Sequence, residues 1–181
     1  ALLKVMEEPP EGVLFLLTAD SLAGVLPTIR SRCVSFAVAP VSPADCTRYC
    51  AAQGVDKKTA ALYSELFDGH IGTVLAVARD EARAAQGEKA LELARAAAAR
   101  DSYTAAVLLA AYEKDKAAAA ALLTDFRAVA AAGLRSIPRA PVQGTQARQA
   151  VRLADAALQR LGAQVNPKVV LSVFAAKLRT L

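Results

Sequence analysis

The sequence predicts a mainly α-helical fold with a short α/β segment at its start. Three observations carry this. The 181 residues are 55% hydrophobic but only 5% aromatic, with no Trp, and much of the apolar content is alanine, the strongest helix former. Strand-like apolar runs are confined to residues 13–38. From Ser42 to the C-terminus, helix start and stop signals succeed one another with no strand pattern between them. The length suits one ordinary domain or two small ones.

Leu2 to Glu8 reads as the end of a helix, stopped by Pro9-Pro10, because proline lacks an N–H and pushes its predecessor out of the helical region. The chain thus begins inside a helix pattern, as the C-terminal part of a longer protein would. Val13-Leu14-Phe15-Leu16-Leu17 is a continuous apolar run, which is how a strand buried on both faces of a parallel sheet reads. A turn-rich link, Thr18 to Gly24, leads to a one-turn helix opened by Pro27. A second strand is expected from Cys33 to Val38.

Ala39 to Pro43 reads as a hinge. Ser42-Pro43-Ala44-Asp45 then offers an N-cap, a first-position proline and an acid in the first turn. The expected helices are Pro43 to Gln53, stopped by Gly54; a second capped by Asp56 and ended by Gly69, with Leu62/Leu66 and Tyr63/Phe67 paired at i, i+4; and a third from Ile71 to Ala85. Gln86-Gly87 is the next boundary. Beyond it helices are expected over 88–100, 103–113, 115–132, 145–161 and 168–180, with Gly133 and Gly162 as stops and Asn166-Pro167 opening the last. Leu122/Phe126/Val129 forms a helical stripe, and Val151/Ala154/Leu158/Leu161 a heptad-like one. The expected divisions are 1–38, 39–86 and 87–181.

No charge-free run of about 20 apolar residues occurs, so no membrane span is expected. No secretory leader pattern opens the chain. The cysteines are Cys33, Cys46 and Cys50; an odd number without secretory context predicts a reducing, cytoplasmic setting. Cys46 and Cys50 share a helical face, but with His70 the lone histidine there are too few ligands for zinc, and small buried residues are expected. The net charge of +5 is uneven. Residues 1–85 hold 8 Lys/Arg and 10 Asp/Glu, a net of −2, whereas 86–181 hold 14 and 7, a net of +7. A basic half suits nucleic acid, an acidic partner or simply a solvated helical surface. With the arginines dispersed and aromatics scarce among them, no nucleic-acid motif is visible.

The stretch that concentrates chemistry is Leu26-Pro27-Thr28-Ile29-Arg30-Ser31-Arg32-Cys33. An arginine at the end of a short element, flanked by Ser31 and a strand, stands on a rigid base with its guanidinium free. The planar, always-charged fork suits phosphate oxygens; a surface ion pair is the alternative. Together with Leu2-Leu3-Lys4-Val5-Met6-Glu7-Glu8-Pro9-Pro10 and Phe15-Leu16-Leu17-Thr18, this stretch resembles the AAA+ clamp-loader family.

The resemblance implies the C-terminal remnant of an AAA+ α/β domain (1–38), a three-helix lid (39–86) and a helical collar (87–181). It implies that Arg32, supported by Ser31 and Cys33, is an arginine finger reaching the ATP of a neighbouring subunit. It implies partners: the gamma/tau and delta subunits of a pentameric ring and, through that ring, a sliding clamp and primed DNA, within a DNA polymerase holoenzyme. ATP and Mg²⁺ would sit on neighbouring subunits and no cofactor on this chain, which lacks a G-x-x-x-x-G-K-[ST] loop. Thr18 is the hydroxyl nearest the family's nucleotide-facing strand end. Gly69-His70-Ile71-Gly72 stands where ATP-binding members carry an arginine; no Arg or Lys lies between Lys58 and Arg79, and His70 is expected as an exposed loop residue. Two rival readings remain: part of an ATP-hydrolysing gamma/tau-type subunit, which shares EEPP and SRC, and a helical scaffold with a vestigial SRC.

Overall fold

The computed structural model describes residues 2–19, 21–39 and 41–181. The expected hinge includes Pro40, and the expected helix pattern at the start includes Ala1; both lie outside the described residues. Among those described, the secondary structure is helical and contains no strand, which bears out the mainly α reading. The chain divides into two compact units, residues 1–39 and 40–181.

In the first unit, α1 (Leu2–Glu7) stops before the prolines, a 3-10 turn spans Leu22–Gly24, and α2 (Pro27–Arg30) is a single turn. The two expected strands are absent. Residues 13–19 and 33–39 are irregular, and apart from the half-buried Cys33 their side chains are open to solvent: Leu16 is 86% exposed and Val38 94%. A strand exists only as part of a hydrogen-bonded ladder. Apolar content marks a segment as able to enter a sheet, but no second strand stands beside either run among the described residues.

The second unit holds α3 (Pro43–Ala52), α4 (Lys57–Leu66), α5 (Ile71–Arg79), α6 (Glu81–Ala98), α7 (Ser102–Ala110), α8 (Lys116–Leu134), α9 (Gly144–Gly162) and α10 (Pro167–Leu178). The expected N-caps are in place. Ser42 Oγ accepts from the Asp45 N–H at 3.1 Å, Asp56 from Thr59 at 2.9 Å and Asn166 from Lys168 at 2.9 Å. The third expected helix ends early, at Arg79. Asp80 leaves the helical region (φ −118°, ψ 115°) and its carboxylate accepts from the Arg83 N–H at 3.1 Å, so it opens a new helix. That helix, α6, runs straight through Gln86-Gly87, where a boundary was expected.

Helix ends differ most from expectation. Gly133 and Gly162 lie inside α8 and α9. The left-handed residues that stop α4, α6, α8 and α9 are Asp68, Arg100, Ser136 and Gln164, with φ between 54° and 63°. After each of them the next N–H reaches back to the carbonyl five residues earlier, as in Gly69 to Ser64 (2.9 Å) and Val165 to Arg160 (3.1 Å). Gly133 serves another purpose: a Cβ there would stand 1.9 Å from the Val142 carbonyl oxygen, so glycine admits the chain entering α9.

One apolar core runs from Cys46 to Leu181. α8 packs on α6 and α9, and α10 on α7 and α9. Phe126 meets Phe174 edge to face at 5.3 Å. The buried face of α9 is Ala147, Ala150, Ala154, Ala157 and Leu161, with Val151 and Leu158 at its margins. The stripe therefore centres on alanines, whose small side chains allow close helix approach. α8 has the length and apolarity of a membrane span (mean hydropathy 1.4), but half of it is buried in this core, and Asp125 and Arg127 interrupt it.

Candidate functional site

The SRC residues follow α2. The Leu26 carbonyl accepts from the Ile29 N–H at 2.9 Å and from Arg30 at 3.1 Å, and the Ser31 N–H closes on Pro27 at 3.0 Å. Ser31 Oγ donates to the Thr28 carbonyl at 3.2 Å. Arg32 then folds back over this turn: its Nη1 donates to the Thr28 carbonyl at 2.8 Å and to Ser31 Oγ at 3.3 Å. Ser31 thus supports Arg32 directly. Cys33 is half-buried behind the turn, its N–H 3.4 Å from the Arg30 carbonyl.

The expectation of a free guanidinium fails in one respect. Nη2 of Arg32 pairs with the carboxylate of Glu7, 25 residues upstream at the end of α1. The EEPP and SRC motifs are therefore one constellation, held by an ion pair that spacing alone did not reveal. Both side chains remain partly open, 33% exposed for Arg32 and 47% for Glu7, and an exposed pair of this kind is worth about 0–1 kcal/mol. Nε of Arg32 makes no hydrogen bond among the described residues, so part of the donor edge stays open to an anion.

The other candidates are not drawn into this constellation. Thr18 is exposed and makes no side-chain hydrogen bond among the described residues. His70 is exposed at the start of α5, where its side chain does not cap the helix. Cys46 and Cys50 are fully buried as expected; burial and the neighbouring Cys46 thiol push the Cys50 thiol up to about 11. Among the described residues no three His, Cys, Asp or Glu side chains are grouped to hold a metal ion.

A polar cluster in the helical unit escaped the sequence reading. Asp125, 6% exposed on α8, accepts from both terminal nitrogens of Arg83 at 2.7 and 2.8 Å and from Gln86 at 2.6 Å. Arg83 also lies 5.6 Å from the centre of the Phe67 ring, which stacks on Tyr63. The one sequence signal was a lone acid within the apolar run of α8.

Residues 1–42 match the model of a family described as DNA polymerase III, delta subunit. Glu7, Ser31, Arg32 and Cys33 all fall within the matched span. No curated protein and no solved structure matches the chain. The matched span is less than a quarter of the chain, so the similarity to that DNA polymerase III family belongs to this first segment.

Proposed function

We propose that this chain is a delta-prime-type clamp-loader subunit of the DNA polymerase III holoenzyme. It works beside gamma/tau and delta subunits in a cytoplasmic assembly that uses ATP to load a sliding clamp onto primed DNA. The observation that carries the reading is the family match over residues 1–42, which encloses an arginine seated on its own turn. Arg32 acts in trans on the ATP of a neighbouring subunit, with Ser31 and Cys33 holding its base. α3 to α5 serve as the lid and α6 to α10 as the collar that joins the ring.

The physical case for Arg32 rests on its weak tether. A guanidinium stabilises the charge that develops on a transferring phosphoryl group, and an exposed carboxylate such as Glu7 gives way to a triphosphate at small cost. The lack of any Arg or Lys between Lys58 and Arg79 leaves α5 without a cation at its start, which favours this reading over a gamma/tau-type ATPase.

The test is DNA-stimulated ATP hydrolysis by the reconstituted loader. Arg32→Ala should abolish hydrolysis at the one site it faces, where an arginine finger is worth about 10³ to 10⁵ in rate, so the bulk rate falls by less. Arg32→Lys should not rescue it, because an ammonium cannot reproduce the fork. Arg30→Ala should do little, and all three proteins should keep their fold within about 0.5 kcal/mol. Wild-type hydrolysis and clamp loading by Arg32→Ala would refute the trans role.

A further inference from the structure

The hydrogen bonds of Arg32 divide its guanidinium into two sides. Nη1 has two hydrogens and two acceptors, the Thr28 carbonyl at 2.8 Å and Ser31 Oγ at 3.3 Å, so it is committed to the turn. A phosphate that takes the fork at two points needs two nitrogens of one edge. With Nη1 holding the base, the edge left for an anion is Nε–Nη2. Nε has no partner among the described residues, and Nη2 carries the Glu7 carboxylate. The working edge of the arginine is therefore half open and half occupied, and its occupant is itself an anion.

Glu7 is suited to leave. It is the last residue of α1, where the negative end of the helix dipole gives a carboxylate no help. Its side chain is 47% exposed, so water replaces the arginine when the pair parts. Glu8, the next residue, is also exposed, but it forms no ion pair among the described residues. The contact with Arg32 thus belongs to Glu7, and it ties the end of α1 to the turn after α2.

We propose that Glu7 is a latch on Arg32: its carboxylate holds the Nε–Nη2 edge until a polyphosphate displaces it. This rests on the trans role of Arg32 proposed above and adds the regulation of that site. The exchange favours a polyphosphate for two reasons. A terminal phosphoryl group carries more negative charge than a carboxylate, and it engages Nε and Nη2 together where Glu7 engages Nη2 alone. A singly charged anion has neither advantage and leaves the latch closed. The hold is weak enough to be reversible, since an exposed ion pair changes an equilibrium by about fivefold at most.

The experiment titrates the whole chain with inorganic pyrophosphate. Calorimetry measures the affinity, and the ¹⁵N signal of Arg32 Nε reports where the anion sits. Glu7→Gln keeps the size of the side chain and an oxygen acceptor but removes the charge, and it should bind pyrophosphate about three- to fivefold more tightly than wild type. Glu8→Gln removes the same charge outside the pair and should change the affinity less. Adding Arg32→Ala to Glu7→Gln should abolish the gain. In the reconstituted loader, Glu7→Gln should act on the KM for ATP more than on kcat. No detectable binding to Glu7→Gln, an affinity equal to wild type, an equal gain from Glu8→Gln, or a gain that survives Arg32→Ala would overturn the latch. Hydrolysis by Arg32→Ala decides the trans role separately, because that assay leaves Glu7 in place and reads no pyrophosphate affinity.

Discussion

Replacing Asp125 by alanine should cost the helical unit about 3 kcal/mol. Its carboxylate holds three hydrogen bonds of 2.6 to 2.8 Å from Arg83 and Gln86 and is itself only 6% exposed. Breaking a buried pair by removing one partner typically costs about 3–5 kcal/mol, because the other charge is left uncompensated. Arg83 lowers that figure here: its side chain is 22% exposed, so water reaches it, and it keeps the contact with the Phe67 ring. At about 2–4 °C per kcal/mol for a chain of this size, the melting temperature should drop by about 6–12 °C. Urea and thermal unfolding followed by circular dichroism measure both quantities. Asp155→Ala, which breaks the half-exposed pair with Arg127, is the comparison and should cost under about 1 kcal/mol. The triple change Asp125→Leu, Arg83→Met and Gln86→Leu should return to within about 1 kcal/mol of wild type, since an apolar replacement removes the desolvation cost of all three groups. The reasoning fails if Asp125→Ala loses less than about 1 kcal/mol, or if the triple variant is no more stable than the single one.

Glu7→Gln should loosen Arg32 without removing it, so loader ATP hydrolysis should stay within about fivefold of wild type, the range set by an exposed ion pair; a collapse equal to that of Arg32→Ala would show that Glu7 orients the arginine rather than merely tethering it. Arg100→Gly should stabilise the chain by about 0.5–1 kcal/mol in urea unfolding, because Arg100 holds φ 56° and glycine relieves that left-handed strain. The raised Cys50 thiol sets a third expectation. The folded state favours the protonated form, so its contribution is complete below pH 9.0, the thiol's ordinary value, and is lost as pH rises through about 11. Wild type should therefore lose stability over that window more steeply than Cys50→Ala, and parallel curves would contradict the burial argument.

What the sequence determined by itself is local. An N-cap is a bond between a side chain and a backbone N–H two or three residues away, so Ser42, Asp56 and Asn166 could be read directly, and so could the helical stripe that buries Leu122, Phe126 and Val129. The SRC turn is equally local, since within it the side chains of Ser31 and Arg32 bond to each other and to the Thr28 carbonyl. Tertiary structure decided the rest. Whether residues 13–17 and 33–38 form strands depends on a ladder partner, which no property of the run itself supplies. Gly133 reads as a helix stop, yet its role is set by Val142 passing against α8, and the stops fall instead to Ser136 and Gln164, whose left-handed backbone no composition rule singles out. The Glu7–Arg32 pair spans 25 residues and the Arg83–Asp125 pair spans 42. Only the folded path of the chain brings such charges together, because attraction between them acts over a few ångströms of space and not along the sequence.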